Sequence, residues 1–114
     1  MILEYNSRTL DNGATVVEFR GRLTLGNSLR NAEEDVKKIA SVPNSKTILD
    51  LTHLEFVDSA GIGMLIMCNS TAMEADGKMF IAGAQDRVQA AFKITKVHYV
   101  LALYDTLDAA IAAL

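Results

Sequence analysis

The sequence predicts an α/β fold: a mixed, mostly parallel sheet of about five strands accompanied by four helices. Three observations predict it. An Asn12-Gly13 pair sits between two strand-like stretches near the start of the chain. From there on, apolar residues recur at helical spacing in some segments and in short continuous runs in others. Those two kinds of segment alternate to the end, and strands separated by helices imply right-handed crossovers and parallel pairing. With 114 residues, 50% of them apolar, the chain is sized for one core. A single domain over residues 1–114 is expected.

The elements follow in order. MILEYNSRTL and ATVVEFR flank Asp11, Asn12 and Gly13, and Asn-Gly accepts the positive φ values of a tight hairpin. Leu29, Ala32, Val36 and Ile39 then recur at three and four, with Glu33, Glu34, Lys37 and Lys38 offering i,i+4 pairs on the outer face. This helix ends before Pro43. KTILDLT reads as a central strand buried on both faces, and His53 to Asp58 as a loop leading into the helix GIGMLIMCNSTAMEA, closed by Asp76-Gly77. KMFIAG is a strand and Arg87, Val88, Ala91 and Phe92 mark a helix. VLALY and DTLDAAIAAL supply the last strand and helix, with Asp105 as the expected cap and Asp108 at the favourable dipole end.

Composition excludes several classes of function. Fourteen acids against 11 bases give a net charge of -3, and the bases are scattered, so no stripe is available to neutralise nucleic-acid phosphates. Apolar runs stay well short of a bilayer crossing. Met1 to Tyr5 include an acid and read as strand, unlike the basic start and apolar stretch of a secretory signal. Cys68 is alone, so neither an internal disulfide nor a two-thiol metal site is available, and a cytoplasmic location is expected. No cofactor is implied. His53 and His98 belong to no metal-binding spacing, and Ser59 lacks the surroundings of a nucleophile elbow. Cys68, inside a helix, offers no thiol chemistry. The chain is read as a protein without catalysis of its own.

The informative segment is Leu54-Glu55-Phe56-Val57-Asp58-Ser59-Ala60-Gly61-Ile62-Gly63-Met64-Leu65. Ser59 falls where the chain after the central strand turns into a helix, among first-turn N–H groups without intrahelical acceptors. The crevice beyond the carboxyl ends of parallel strands is also where ligands of open α/β sheets bind. Ala60, Gly61 and Gly63 are small and leave room for another protein to approach. Along the helix, Ile62, Leu65, Ile66 and Met73 form one apolar face, while Met64 and Met67 lie off that line and are candidates for a docking surface. Two plainer readings stand beside these: Ser59 as a structural N-cap, a part Asp58 fills equally well, and the extra apolar residues as core. Gly61-Ile62-Gly63 is only a fragment of a dinucleotide fingerprint and comes after the wrong strand.

Asp58-Ser59-Ala60-Gly61-Ile62-Gly63, preceded by Ile48-Leu49-Asp50-Leu51 and by a Gly21-Arg22-Leu23-Thr24 turn, resembles the signature of STAS domains of the anti-sigma factor antagonist type. The order of elements resembles that family over the whole chain. The resemblance implies four helices on one side of the sheet. It also implies a signalling protein that regulates transcription by partner switching, binding a serine-kinase anti-sigma factor and thereby releasing a sigma factor. Ser59 would then be the residue the kinase phosphorylates and a PP2C-type phosphatase restores. Thr24, Asp58, Ser59, Ala60, Gly61, Ile62, Gly63, Met64 and Met67 form the expected partner-binding set. Two positions depart from the family pattern: Thr24 stands where many phosphorylatable members carry aspartate, and Ala60 where serine or threonine is common. A rival expectation is a STAS-like adaptor subunit of a transporter or signalling assembly, docking through the same helix and never modified.

Overall fold

The computed structural model describes residues 2–114; Met1, part of the expected opening strand, lies outside them. The elements run β1 (Glu4–Thr9), β2 (Thr15–Leu23), α1 (Asn27–Ala40), β3 (Lys46–Val57), α2 (Ser59–Glu74), β4 (Lys78–Ala82), α3 (Asp86–Ile94), a 3-10 turn (Val97–Tyr99), β5 (Ala102–Tyr104) and α4 (Leu107–Ala112). One sheet has the order β1-β2-β3-β4-β5, antiparallel in its first pair and parallel in the other three. The expected class, a mixed and mostly parallel five-stranded sheet with four helices, holds.

The hairpin forms as the Asn-Gly pair requires. Asn12 Oδ1 accepts the Ala14 N–H at 3.0 Å, Gly13 takes φ 86°, and Leu10 N–H reaches Ala14 O at 2.7 Å. On α1, Lys37 Nζ meets Glu33 at 2.8 Å, while Glu34 and Lys38 do not close the second expected pair.

Adjacent strand residues point to opposite faces, and the packing follows that parity. Phe19, Leu49, Leu51 and Ile81 meet Val36 of α1, Leu65 of α2 and Phe92 of α3 in the main core. One refinement concerns the last helix. Ala110 of α4, flanked by Leu107 and Ile111, packs on Val16, Ile48 and Ala82, the alternate positions of the same strands. The one-sided arrangement thus describes α1 to α3, and the short α4 closes a smaller cluster on the other parity. Its cap also differs from expectation: Thr106, not Asp105, accepts the Ala109 N–H at 3.1 Å, because its hydroxyl stands three residues before that donor.

The departure that matters for function is the length of β3. The expected loop from His53 to Asp58 is strand as far as Val57. Arg20 pairs with His53, Gly21 with Leu54, Arg22 with Phe56 and Leu23 with Val57, across two register shifts. Gly21, Arg22 and Leu23, expected in a turn, are therefore strand. Pairing with β4 stops at Asp50–Ala82, so beyond it β2 is the only strand partner of β3 among the described residues. Arg22 lies over the Phe56 ring at 4.7 Å, a cation–π contact that braces this two-stranded extension. None of the helices among the described residues is long and apolar enough to cross a membrane.

Cys68 lies fully buried in α2, where desolvation, with Glu33 nearby, pushes its thiol up to about 12. An ordinary thiol ionises near pH 8.5 and labels faster as pH rises from about 7 to about 9. For the native protein we expect labelling by a thiol reagent to stay far slower than that of a free thiol throughout the range, while still rising about tenfold per pH unit because the thiolate remains a minor fraction below the raised value, and to reach one equivalent rapidly only in denaturant. Rapid stoichiometric labelling of the native protein at pH 8 would contradict this burial.

Candidate partner-binding site at the start of α2

Because Leu23 and Val57 are the last registered pair of β2 and β3, the residues after each strand emerge side by side. One side leads through Thr24, Leu25 and Gly26 into α1, and the other through Asp58 into α2. Asp58 ties the two together. Its N–H donates to Leu23 O at 3.3 Å, its Oδ1 accepts the Gly61 N–H at 2.8 Å, and its Oδ2 accepts the Leu25 N–H at 3.0 Å. The first of the side-chain bonds caps α2.

That geometry separates the two readings of Ser59. Asp58 occupies the N-cap in an extended conformation, and Ser59 is the first helical residue, exposed to solvent. The Ser59 hydroxyl engages no hydrogen-bond partner among the described residues. It is presented at the rim and spared from capping.

The neighbouring small residues divide by role. A Cβ on Gly61 would stand 2.2 Å from Leu23 O and 2.8 Å from Val57 Cγ2, so its missing side chain is what lets α2 sit against the β2–β3 end. A Cβ on Gly63 would meet nothing within 4 Å. Gly63 is half-buried with free space where a side chain would stand, and Ala60 is half-buried against the core. Thr24 is half-buried and stands next to Leu25 on the facing loop.

The structure also sorts the apolar residues of α2. Ile62 is buried, and Met64, expected off the apolar line, is 1% exposed within the main core. The helix packs against both the sheet and α1, and a covered face shared with two neighbours is wider than one set by the sheet alone. Met67 does reach solvent at 51%, and so does Met73, which was expected on the covered face, at 66%. The residue the sequence reading missed is Leu25, 72% exposed and tied through its backbone N–H to Asp58, the residue before Ser59. Its signal was modest: one large apolar residue between Thr24 and Gly26 in an otherwise polar turn.

Chemistry beyond presentation of a hydroxyl finds little support in this geometry. His53 lies on β3, paired with Arg20, while His98 lies in the 3-10 turn and stacks on Tyr99 at 4.2 Å. Among the described residues no group of three or more His, Cys, Asp or Glu side chains is placed to hold a metal ion.

Comparison with known proteins agrees with this geometry. The model of the STAS domain family matches residues 7–110, and the chain belongs to that family. Among solved structures, an anti-sigma factor antagonist from Mycobacterium paratuberculosis superposes with a TM-score of 0.81 at 22% identity, over 98% of this chain and 93% of that one. An anti-sigma-factor antagonist domain protein from Planctomyces limnophilus gives 0.81 at 18% identity, over 96% of each chain. A sulfate transporter family protein from Wolinella succinogenes gives 0.69 at 17% identity, over 86% of this chain and 81% of that one. At these identities the likeness establishes the fold.

The two helix glycines provide a direct check of the site's packing. Gly61→Ala is expected to cost about 1–3 kcal/mol, since a methyl group must be forced against the Leu23 carbonyl. Gly63→Ala is expected to gain about 0.5–1 kcal/mol, as alanine replaces glycine inside a helix with space around it. Chemical denaturation of both variants reads the difference; equal effects of the same sign would contradict the packing.

Proposed function

We propose that the protein is a non-catalytic, cytoplasmic anti-sigma factor antagonist acting by partner switching. In this reading it binds a serine-kinase anti-sigma factor while Ser59 is unmodified, is released when the kinase phosphorylates Ser59, and is restored by a PP2C-type phosphatase. The observation that carries the reading is the division of labour at the start of α2: Asp58 takes the cap and leaves the Ser59 hydroxyl exposed, without a hydrogen-bond partner among the described residues. Membership of the STAS family and the likeness to solved antagonists support it. The contact surface we assign consists of Thr24, Leu25, Asp58, Ser59, Ala60, Gly63 and Met67. Gly61, Ile62 and Met64 shape it from beneath.

The physics of the switch follows from charge. Phosphoserine adds about -1.5 to -2 at neutral pH together with three strong acceptor oxygens. The N-terminal end of α2 favours that charge, so the fold tolerates it. A partner packed over Gly63 and Met67 does not, because it would lose a hydrogen bond from the serine hydroxyl and bury a dianion. Breaking complementarity of that kind costs about 2–5 kcal/mol, an affinity loss of about 30-fold or more.

A second reading, an unmodified adaptor of a transporter or signalling assembly, is favoured by one residue and one comparison. Thr24 stands where many phosphorylatable relatives have an acid, and a sulfate transporter family protein shares the fold. Phosphosite mapping of the protein recovered from its native cells, with phosphatases inhibited, distinguishes the two. The switch predicts a fraction phosphorylated on Ser59, and predicts that Ser59→Ala holds the anti-sigma factor permanently. An unphosphorylated protein across growth and stress conditions, with Ser59→Ala indistinguishable from wild type, would overturn the switch in favour of the adaptor.

A further inference from the structure

The Asp58 carboxylate serves two clients of unequal strength. Its bond to the Gly61 N–H is local, spanning three residues within the cap of α2. Its bond to the Leu25 N–H spans 33 residues and lies exposed to solvent, joining the β2–α1 loop to the helix that carries Ser59. That loop has only Thr24, Leu25 and Gly26 between the end of β2 and the start of α1, and the Leu25 side chain is 72% exposed. Little side-chain packing holds Leu25 where it is; the Asp58 carboxylate does.

We infer that Asp58 couples the chemical state of Ser59 to the position of the Leu25 loop, so that phosphorylation acts on two contact points instead of one. This rests on the proposed phosphorylation of Ser59. A phosphate dianion on the residue adjacent to Asp58 repels its carboxylate, while the first-turn N–H groups that Asp58 does not use supply the phosphate's own donors. The carboxylate retains the local cap bond and gives up the exposed, long-range one. Leu25 N–H then loses its acceptor, and the apolar side chain it positioned beside Ser59 is no longer held for a partner. A charge at one residue is thereby converted into the loss of an ordered apolar contact on the neighbouring loop.

The coupling is tested without kinase or partner, by hydrogen exchange of single amides in the full chain. Asp58→Ser keeps an oxygen to cap Gly61 but cannot reach two donors. The Leu25 amide is expected to exchange about tenfold faster in that variant, with the Gly61 amide and the core amide of Leu49 unchanged. Wild-type protein carrying phosphoserine installed at position 59 during translation is expected to show the same acceleration at Leu25. Unchanged Leu25 exchange in the phosphoprotein overturns the coupling, and so does unchanged exchange in Asp58→Ser. Binding of the anti-sigma factor to the same two proteins is scored separately. If phosphorylation abolishes binding while Leu25 stays protected, the switch stands and the coupling falls. If Leu25 is released and binding is unaffected, the coupling stands and the proposed switch falls.

Discussion

The arrangement of the site depends on where the Asp58 carboxylate sends its two oxygens. A helix starting at the rim of a sheet leaves N–H groups without acceptors. In α2 one of these is satisfied by Asp58 Oδ1, while Oδ2 reaches back to the loop that leaves β2. Had the adjacent serine taken the cap, its hydroxyl would have been committed to the backbone. With the aspartate there, the hydroxyl is available to another molecule. The same carboxylate fixes the distance between two chain segments far apart in sequence, so the rim has a defined shape as well as a defined chemistry.

Two features beneath the rim make this possible. The end of β3 runs past β4 with β2 as its only strand partner, which carries Asp58 and Ser59 out to the level of Leu25. Gly61 then lets α2 rest directly on the Leu23 carbonyl; any side chain there would lift the start of the helix and stretch the bonds from Asp58. Beyond that first turn, α2 is buried between the sheet and α1, with Ile62, Met64, Leu65 and Cys68 in the core. A rigid helix fixed along most of its length gives the exposed residues Ser59 and Met67, and the half-buried Gly63 between them, a steady position, as binding to a folded partner requires.

Much of this was legible in the sequence. Periodicity and the Asn-Gly turn located the elements, and the Asp58-Ser59 pair before a run of small residues marked the candidate site. What was not legible depends on neighbours distant in the chain. Residues 53–57 include the polar His53 and Glu55 and read as loop, and they become strand only because β2 is long enough to pair with them. Met64 reads as surface on a helical wheel because the wheel shows neither of the two neighbours, the sheet and α1, that α2 packs against. Whether serine or aspartate capped α2 could not be read from two adjacent capping residues, and the bond from Leu25 has no signature along the chain at all. The parity split that sends α4 to a separate cluster was similarly hidden, since Val16 and Val17, or Ile48 and Leu49, look alike until the sheet assigns them opposite faces.

The claim that Ser59 is displayed, with the structural work done by Asp58, is tested most directly by comparing the unfolding free energies of Ser59→Ala and Asp58→Ala. The account predicts that Ser59→Ala stays within about 0.5 kcal/mol of wild type, as surface substitutions without a structural role do. Asp58→Ala is expected to lose about 1–2 kcal/mol with the cap and its second bond. A Ser59→Ala variant destabilised as much as Asp58→Ala would show that the serine is part of the scaffold, and would contradict the account.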